Sequence, residues 1–140
     1  MINKELTDFI SKRLNIARRD LIEKDIILSK ILFHLTQNTG FFQDYAFKGG
    51  TCLTKCYFGY YRFSEDMDFT YLNQKEFIGK SKGKLREVMS DKINKLGELI
   101  EVIAKNLDLD FKMEKENKRY FQFGGSNTFV TFKVWYNSPE

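Results

Sequence analysis

The sequence predicts an α/β (α+β) fold, with helices at the N-terminal end, a mixed sheet flanked by helices, and an antiparallel strand set toward the C-terminus. Three patterns predict it. Apolar residues recur at helical spacing in two long stretches, from about Lys4 to Gln37 and from about Lys75 to Asn106. Between them lie two short apolar runs bounded by turn residues, the usual marks of strands. From Leu109 onward apolar and polar residues alternate, which is the two-residue period of a half-buried strand.

Each element follows from local chemistry. Ile22, Ile26, Ile27, Ile31, Leu32 and Leu35 form the apolar stripe of the first helical stretch, and Asn38-Thr39-Gly40 supplies a stop with Gly40 as C-cap. Tyr45-Ala46-Phe47 reads as a strand running into a tight turn at Gly49-Gly50. Thr51 then serves as N-cap of a short helix reaching about Phe58. A second strand is expected from about Met67 to Leu72. In the long helical pattern that follows, Gly79 and Gly83 predict irregular first turns. Leu109, Phe111 and Met113, then Tyr120–Phe123 and Thr128–Tyr136, read as strands, with Gly124-Gly125-Ser126-Asn127 as a hairpin loop. Residues 1–140 are read as one domain.

Composition excludes several classes. With 140 residues, a hydrophobic fraction of 42% and an aromatic fraction of 16%, the chain can bury a core and is not disordered. Two cysteines exclude a disulfide scaffold, and there is no apolar run of transmembrane length. The start, MINKELTDF, lacks an apolar signal core and reads as cytoplasmic. The net charge is +4, and the surplus is concentrated between Asn73 and Lys95, where seven Lys/Arg face three acids. A solvated helix face explains such a run, and so does a surface that meets a polyanion such as RNA.

The chemistry concentrates in Lys48-Gly49-Gly50-Thr51 and in Arg62-Phe63-Ser64-Glu65-Asp66-Met67-Asp68-Phe69. Asp66 and Asp68 are two apart on a predicted strand, so both carboxylates project from one face. Two hard oxygen donors suit Mg²⁺ (or Mn²⁺), which prefers carboxylates together with water and substrate phosphate. The double glycine lets backbone N–H groups approach an anion closely, and Thr51 opens a helix toward the same point. Lys48, Lys55 and Arg62 add positive charge. A phosphate cradle, a carboxylate pair and nearby cations together describe metal-assisted phosphoryl or nucleotidyl transfer.

These residues resemble a known family. Phe47-Lys48-Gly49-Gly50-Thr51-Cys52-Leu53, continuing to Arg62-Phe63-Ser64-Glu65-Asp66-Met67-Asp68-Phe69, looks like the first motif of the AbiEii/AbiGii nucleotidyltransferase-like toxins, and the helix from Glu23-Lys24-Asp25 is similar too. The resemblance is strong over about residues 20 to 72 and diffuse to 136. It implies a polymerase-β-like nucleotidyltransferase fold, with Asp66 and Asp68 as metal ligands and catalytic carboxylates. Lys48, Gly49, Gly50, Thr51, Lys55, Arg62 and Ser64 then form the nucleotide-binding set, with Arg62 and Ser64 on the family's Arg-x-Ser. It further implies an NTP substrate, an RNA (tRNA) or protein acceptor, and an antitoxin partner in a toxin–antitoxin or abortive-infection system. The sequence departs from the family pattern in two ways. Lys133-Val134-Trp135 aligns with a strand that normally carries a third carboxylate, which places Lys133 and Trp135 on the site face with Trp135 where an acid is expected. The chain is expected to lack the family's C-terminal helical region. These departures make a non-catalytic nucleotide- or partner-binding module of the same fold the alternative.

Other residues receive plain readings. Cys52 and Cys56 are expected to be buried thiols, and His34 a packed core residue. Tyr57, Phe58, Tyr60, Tyr61 and Phe63 are expected to pack, with Tyr60 or Tyr61 best placed to stack a base.

Overall fold

The computed structural model describes residues 2–59, 63–125 and 128–139. The chain forms two compact units, Met1–Leu72 with Asn137–Glu140, and Asn73–Tyr136. Among the described residues, five α-helices and two antiparallel strand pairs make up the α+β fold.

In the first unit, α1 (Lys4–Leu14) starts at Asn3, whose side chain accepts from the Glu5 N–H at 2.8 Å. Asn15 ends α1 in the left-handed conformation (φ 54°), so the long expected helix is split, and α2 (Arg19–Gln37) begins afresh. An Arg19–Asp8 ion pair at 3.1 Å joins the two helices. The buried stripe of α2 contains Ile22, Ile27, Ile31 and Leu35, as its period requires.

Gly40 is not a C-cap. Asn38 both ends α2 and caps α3 (Thr39–Asp44), accepting from the Phe41 N–H at 2.9 Å. The Asn side chain wins because it satisfies an orphan N–H of the next helix.

Strands β1 (Tyr45–Lys48) and β2 (Asp68–Tyr71) then pair antiparallel, with Tyr45 opposite Tyr71, Phe47 opposite Phe69 and Lys48 opposite Asp68. Alternation puts Tyr45, Phe47, Phe69 and Tyr71 on one face, where Phe41 packs at 5.0 Å from both Tyr45 and Phe69. Ala46, Lys48, Asp68 and Thr70 occupy the other face. Between the strands run α4 (Gly49–Cys52) and a π-helical turn (Leu53–Phe58).

The second unit is built on α5 (Lys82–Asn106), capped by Ser81 and preceded by a 3₁₀ turn at Gln74–Phe77. Ile93, Ile100 and Ala104 of α5 pack with Phe111, Tyr120 and Phe121 into one buried cluster. Strands β3 (Phe121–Gly124) and β4 (Phe129–Phe132) pair antiparallel. Leu109–Met113 does not form the expected strand; Asp110 alone bridges to Trp135, through N–H···O bonds of 2.8 and 2.9 Å. Among the described residues, no helix is long and apolar enough to cross a membrane.

Candidate functional site

The corner between β1, α4 and β2 gathers most of the motif. Lys48 ends β1 in an extended conformation, and Gly49 turns the chain at φ +78°, where a side chain is strained. Space forbids one as well. A Cβ built on Gly49 would fall against the Asp68 carboxylate, within 3.2 Å of its Cγ. Glycine is therefore what allows the backbone bend and this carboxylate to touch.

Thr51 does not act as the N-cap. It lies inside α4, 1% exposed, and its hydroxyl donates to the backbone carbonyl of Asp66. Thr54, also buried, donates to the Gly50 carbonyl at 3.0 Å. Two threonine hydroxyls thus fix the helix start and the approach to β2. The Asp66 side chain is exposed and Asp68 is half-buried on the polar face of β2, whose other face is the aromatic layer.

Helix α2 braces this corner with two consecutive residues. Lys24 pairs with Glu65, next to the carboxylate segment. Asp25 pairs with Lys55 at 2.9 Å, and the Lys55 ammonium also donates to Ser29 Oγ at 2.7 Å. Both side chains of the Asp25–Lys55 pair are buried, at 12% and 9% exposed. Lys55, expected to meet phosphates, is here a strut between α2 and the π-helical turn. Burial forces this pairing, because an unpartnered charge inside the protein is costly. The reading of the sequence missed the pair, although Glu23-Lys24-Asp25, charges set among Ile22, Ile26 and Ile27, was its visible signal.

Glu23 is 1% exposed and accepts from Ser138 Oγ at 3.1 Å, while its Oε2 has no hydrogen-bond partner among the described residues. Ser64 Oγ, in the motif itself, is likewise buried without one. Arg62, Tyr60 and Tyr61 lie outside the described residues. Cys52 is buried as expected, and burial, with the neighbouring Cys56 thiol, pushes its thiol pKa up. Cys56, by contrast, is exposed. Tyr57 and Phe58 are also exposed. His34 is half-buried, with its ring edge-on to Phe33 at 5.7 Å.

Lys133 and Trp135 belong to the second unit, and the structure gives them partners there. The Trp135 indole N–H donates to the Arg119 carbonyl at 2.9 Å, and the Arg119 guanidinium lies 4.7 Å from the indole ring centroid. Lys133 Nζ reaches the Lys118 carbonyl at 3.5 Å.

Among the described residues no three His, Cys, Asp or Glu side chains form a metal cluster. Asp66 and Asp68 still fit Mg²⁺, which uses one or two carboxylates with water and phosphate and needs no all-protein cage. The corner that a Gly49 Cβ would fill is consistent with such a ligand set.

Comparison with known proteins gives one finding. The family model described as "Nucleotidyl transferase AbiEii toxin, Type IV TA system" matches residues 30–137. No curated protein and no solved structure matches.

Proposed function

The chain belongs to the AbiEii nucleotidyltransferase toxin family, and from that premise we propose that it binds a nucleoside triphosphate with Mg²⁺ (or Mn²⁺) at the Gly49–Asp68 corner and transfers a nucleotidyl group to an RNA acceptor such as tRNA. The observation that carries this reading is the approach of the Asp68 carboxylate to Gly49, which brings a metal ligand beside a bend able to receive phosphate.

The residues divide the work. Asp66 and Asp68 hold the divalent ion, which supplies charge neutralisation at the α-phosphate and a more acidic acceptor hydroxyl. Backbone N–H groups at Gly49 and Gly50 open a helix and have no intrahelical acceptor of their own, so they can face phosphate oxygens. Lys48, opposite Asp68 across the ladder, and Arg62 offset phosphate charge. Ser64 supplies a hydroxyl that has no hydrogen-bond partner among the described residues. Thr51 and Lys55 position: one ties the helix to Asp66, the other ties the turn to α2. The acceptor oxygen bonds to the α-phosphorus as the bond to pyrophosphate breaks, and the hydroxyl proton leaves to water. We place the reaction in the cytoplasm, under control of a type IV antitoxin, as the family membership suggests.

Incubation with labelled NTPs and total tRNA tests the reading. Label should enter RNA in the wild type and fail to enter with Asp66→Ala/Asp68→Ala; incorporation that survives the double substitution would remove these aspartates from the chemistry. A second reading, a non-catalytic module that binds nucleotide or partner, is favoured by Trp135, which the resemblance aligns with the family's acid position and which is engaged with Arg119. Mg-NTP binding that needs Asp68, without any transfer, is the outcome this reading expects.

A further inference from the structure

A groove of about 790 Å³ lies within the second unit, between α5 and the β3–β4 pair. Its charge is one-sided. Arg86, Lys115, Lys118 and Lys133 line it, against one carboxylate, Glu116. Elsewhere on this unit Lys84, Lys92, Lys95 and Arg119 are each neutralised by an acid within 3.1 Å. The four groove cations have no carboxylate partner among the described residues. Lys115 is held by the Ser90 carbonyl and hydroxyl at 3.3 and 2.8 Å, and Lys133 by a carbonyl, both neutral groups that orient an ammonium without cancelling its charge.

The wall of the groove carries a second signal. Phe121 and Phe123 are two apart on β3 and share a face, with their rings nearly parallel (12°) and centroids 6.1 Å apart. Phe121 is buried in the core, whereas Phe123 is 39% exposed and lines the groove. The stack therefore continues out of the core and ends on an uncovered ring. Cations that track a phosphate backbone, beside an aromatic ring on which a base can stack, are the two components of single-strand recognition. A single strand presents a base at every phosphate, whereas an acidic peptide carries an aromatic ring only at particular residues, and a duplex keeps its bases stacked within itself.

We infer that this groove docks single-stranded RNA, with phosphates on Arg86, Lys115, Lys118 and Lys133 and a base on Phe123. The choice of RNA as occupant rests on the acceptor proposed above; the groove's affinity for a single strand does not depend on the nucleotide site.

Fluorescence anisotropy with a labelled single-stranded RNA of about 12 nucleotides tests this on the full chain, without NTP. Arg86→Gln/Lys118→Gln/Lys133→Gln is expected to weaken binding about tenfold or more and to reduce the slope of log affinity against log salt by about two. Lys75→Gln/Lys80→Gln/Lys82→Gln removes the same charge outside the groove and is expected to leave affinity within about twofold. Phe123→Leu is expected to weaken the single strand about tenfold and to leave a matched duplex unchanged. Equal losses from the two charge triples would overturn the inference, as would a duplex bound as tightly as the single strand. If the wild type transfers no nucleotide yet these RNA results hold, the nucleotide-site reading fails and the groove stands; if transfer occurs and the groove triple binds normally, the groove fails alone.

Discussion

The two strand pairs are built alike and equipped differently. Each is a four-residue antiparallel ladder with an aromatic face: Tyr45, Phe47, Phe69 and Tyr71 in one, and Phe121, Phe123 and Phe132 with Val130 in the other. The opposite faces diverge. On β3–β4 Gln122 meets Thr131, both neutral, whereas on β1–β2 Lys48 meets Asp68 beside a glycine bend. Aromatic pairing makes the ladders; what stands on the far face, and what turn adjoins it, separates the candidate catalytic corner from a ladder whose far face carries no charge.

The comparison can be broken first at the carboxylates. Asp68→Ala should reduce nucleotidyl transfer about a thousandfold while leaving the melting temperature nearly unchanged, because Asp68 faces away from the aromatic layer. Labelled-NTP incorporation and thermal unfolding on the same preparation check both halves. A variant that unfolds instead would show that the far face of β1–β2 is structural after all.

Next is the strut. Lys55→Met leaves Asp25 charged and buried, so unfolding by denaturant should show a loss of about 3–4 kcal/mol. Asp25→Leu/Lys55→Met, which removes both charges, should recover most of it. Full recovery of stability without recovery of transfer would assign the pair to positioning of the corner.

Gly49→Ala should cost about 2 kcal/mol from its positive φ and should also push the Asp68 carboxylate aside, so Mg-NTP affinity falls with stability. The matching change on the other ladder, Gly124→Ala, meets only Phe129 Cδ1 at 3.6 Å and is expected to cost less, about 1 kcal/mol or below. Equal effects would erase the distinction between the two ladders.

The smallest effect is electrostatic. Hydrogen bonds from the Arg119 guanidinium and then from the Tyr120 hydroxyl hold the Asp110 carboxyl below its ordinary value of 3.8. A depressed folded pKa means stability that is present above the unfolded value and is lost as pH falls through the folded one. Thermal melts should therefore show a small loss below about pH 4 that Asp110→Asn abolishes.

Much of this was legible in order of locality. β1, β2, β3 and α5 were readable because their signals lie within the segment: aromatic runs, bounding turns, a helical apolar stripe. The break after Leu14 was missed because residues 4–37 keep a helical pattern, although Asn15–Arg18 lie outside both helices, starting with the left-handed Asn15. Leu109–Met113 alternates like a strand, yet alternation needs a partner, and only Asp110 finds one. Asp66 and Asp68 were expected on one strand face beside the glycine bend; Asp68 lies there, but β2 begins only at Asp68, so Asp66 precedes the strand and is exposed. The charges among the isoleucines of α2 signalled a buried partner, but that the partner is Lys55 was not legible, since thirty residues separate it from Asp25. Thr51 was read by its position before a helix, but the Asp66 carbonyl fifteen residues on takes its hydroxyl instead.

The aromatic layer of β1–β2 also guards against misalignment. Sliding one strand by a single residue would exchange its faces, driving the Asp68 carboxylate in among Phe41, Tyr45 and Phe47 and exposing Phe69 to water. A chain that mispaired during folding would thus be rejected by its own rings, and any molecule with this ladder closed would already have its acid on the outward side.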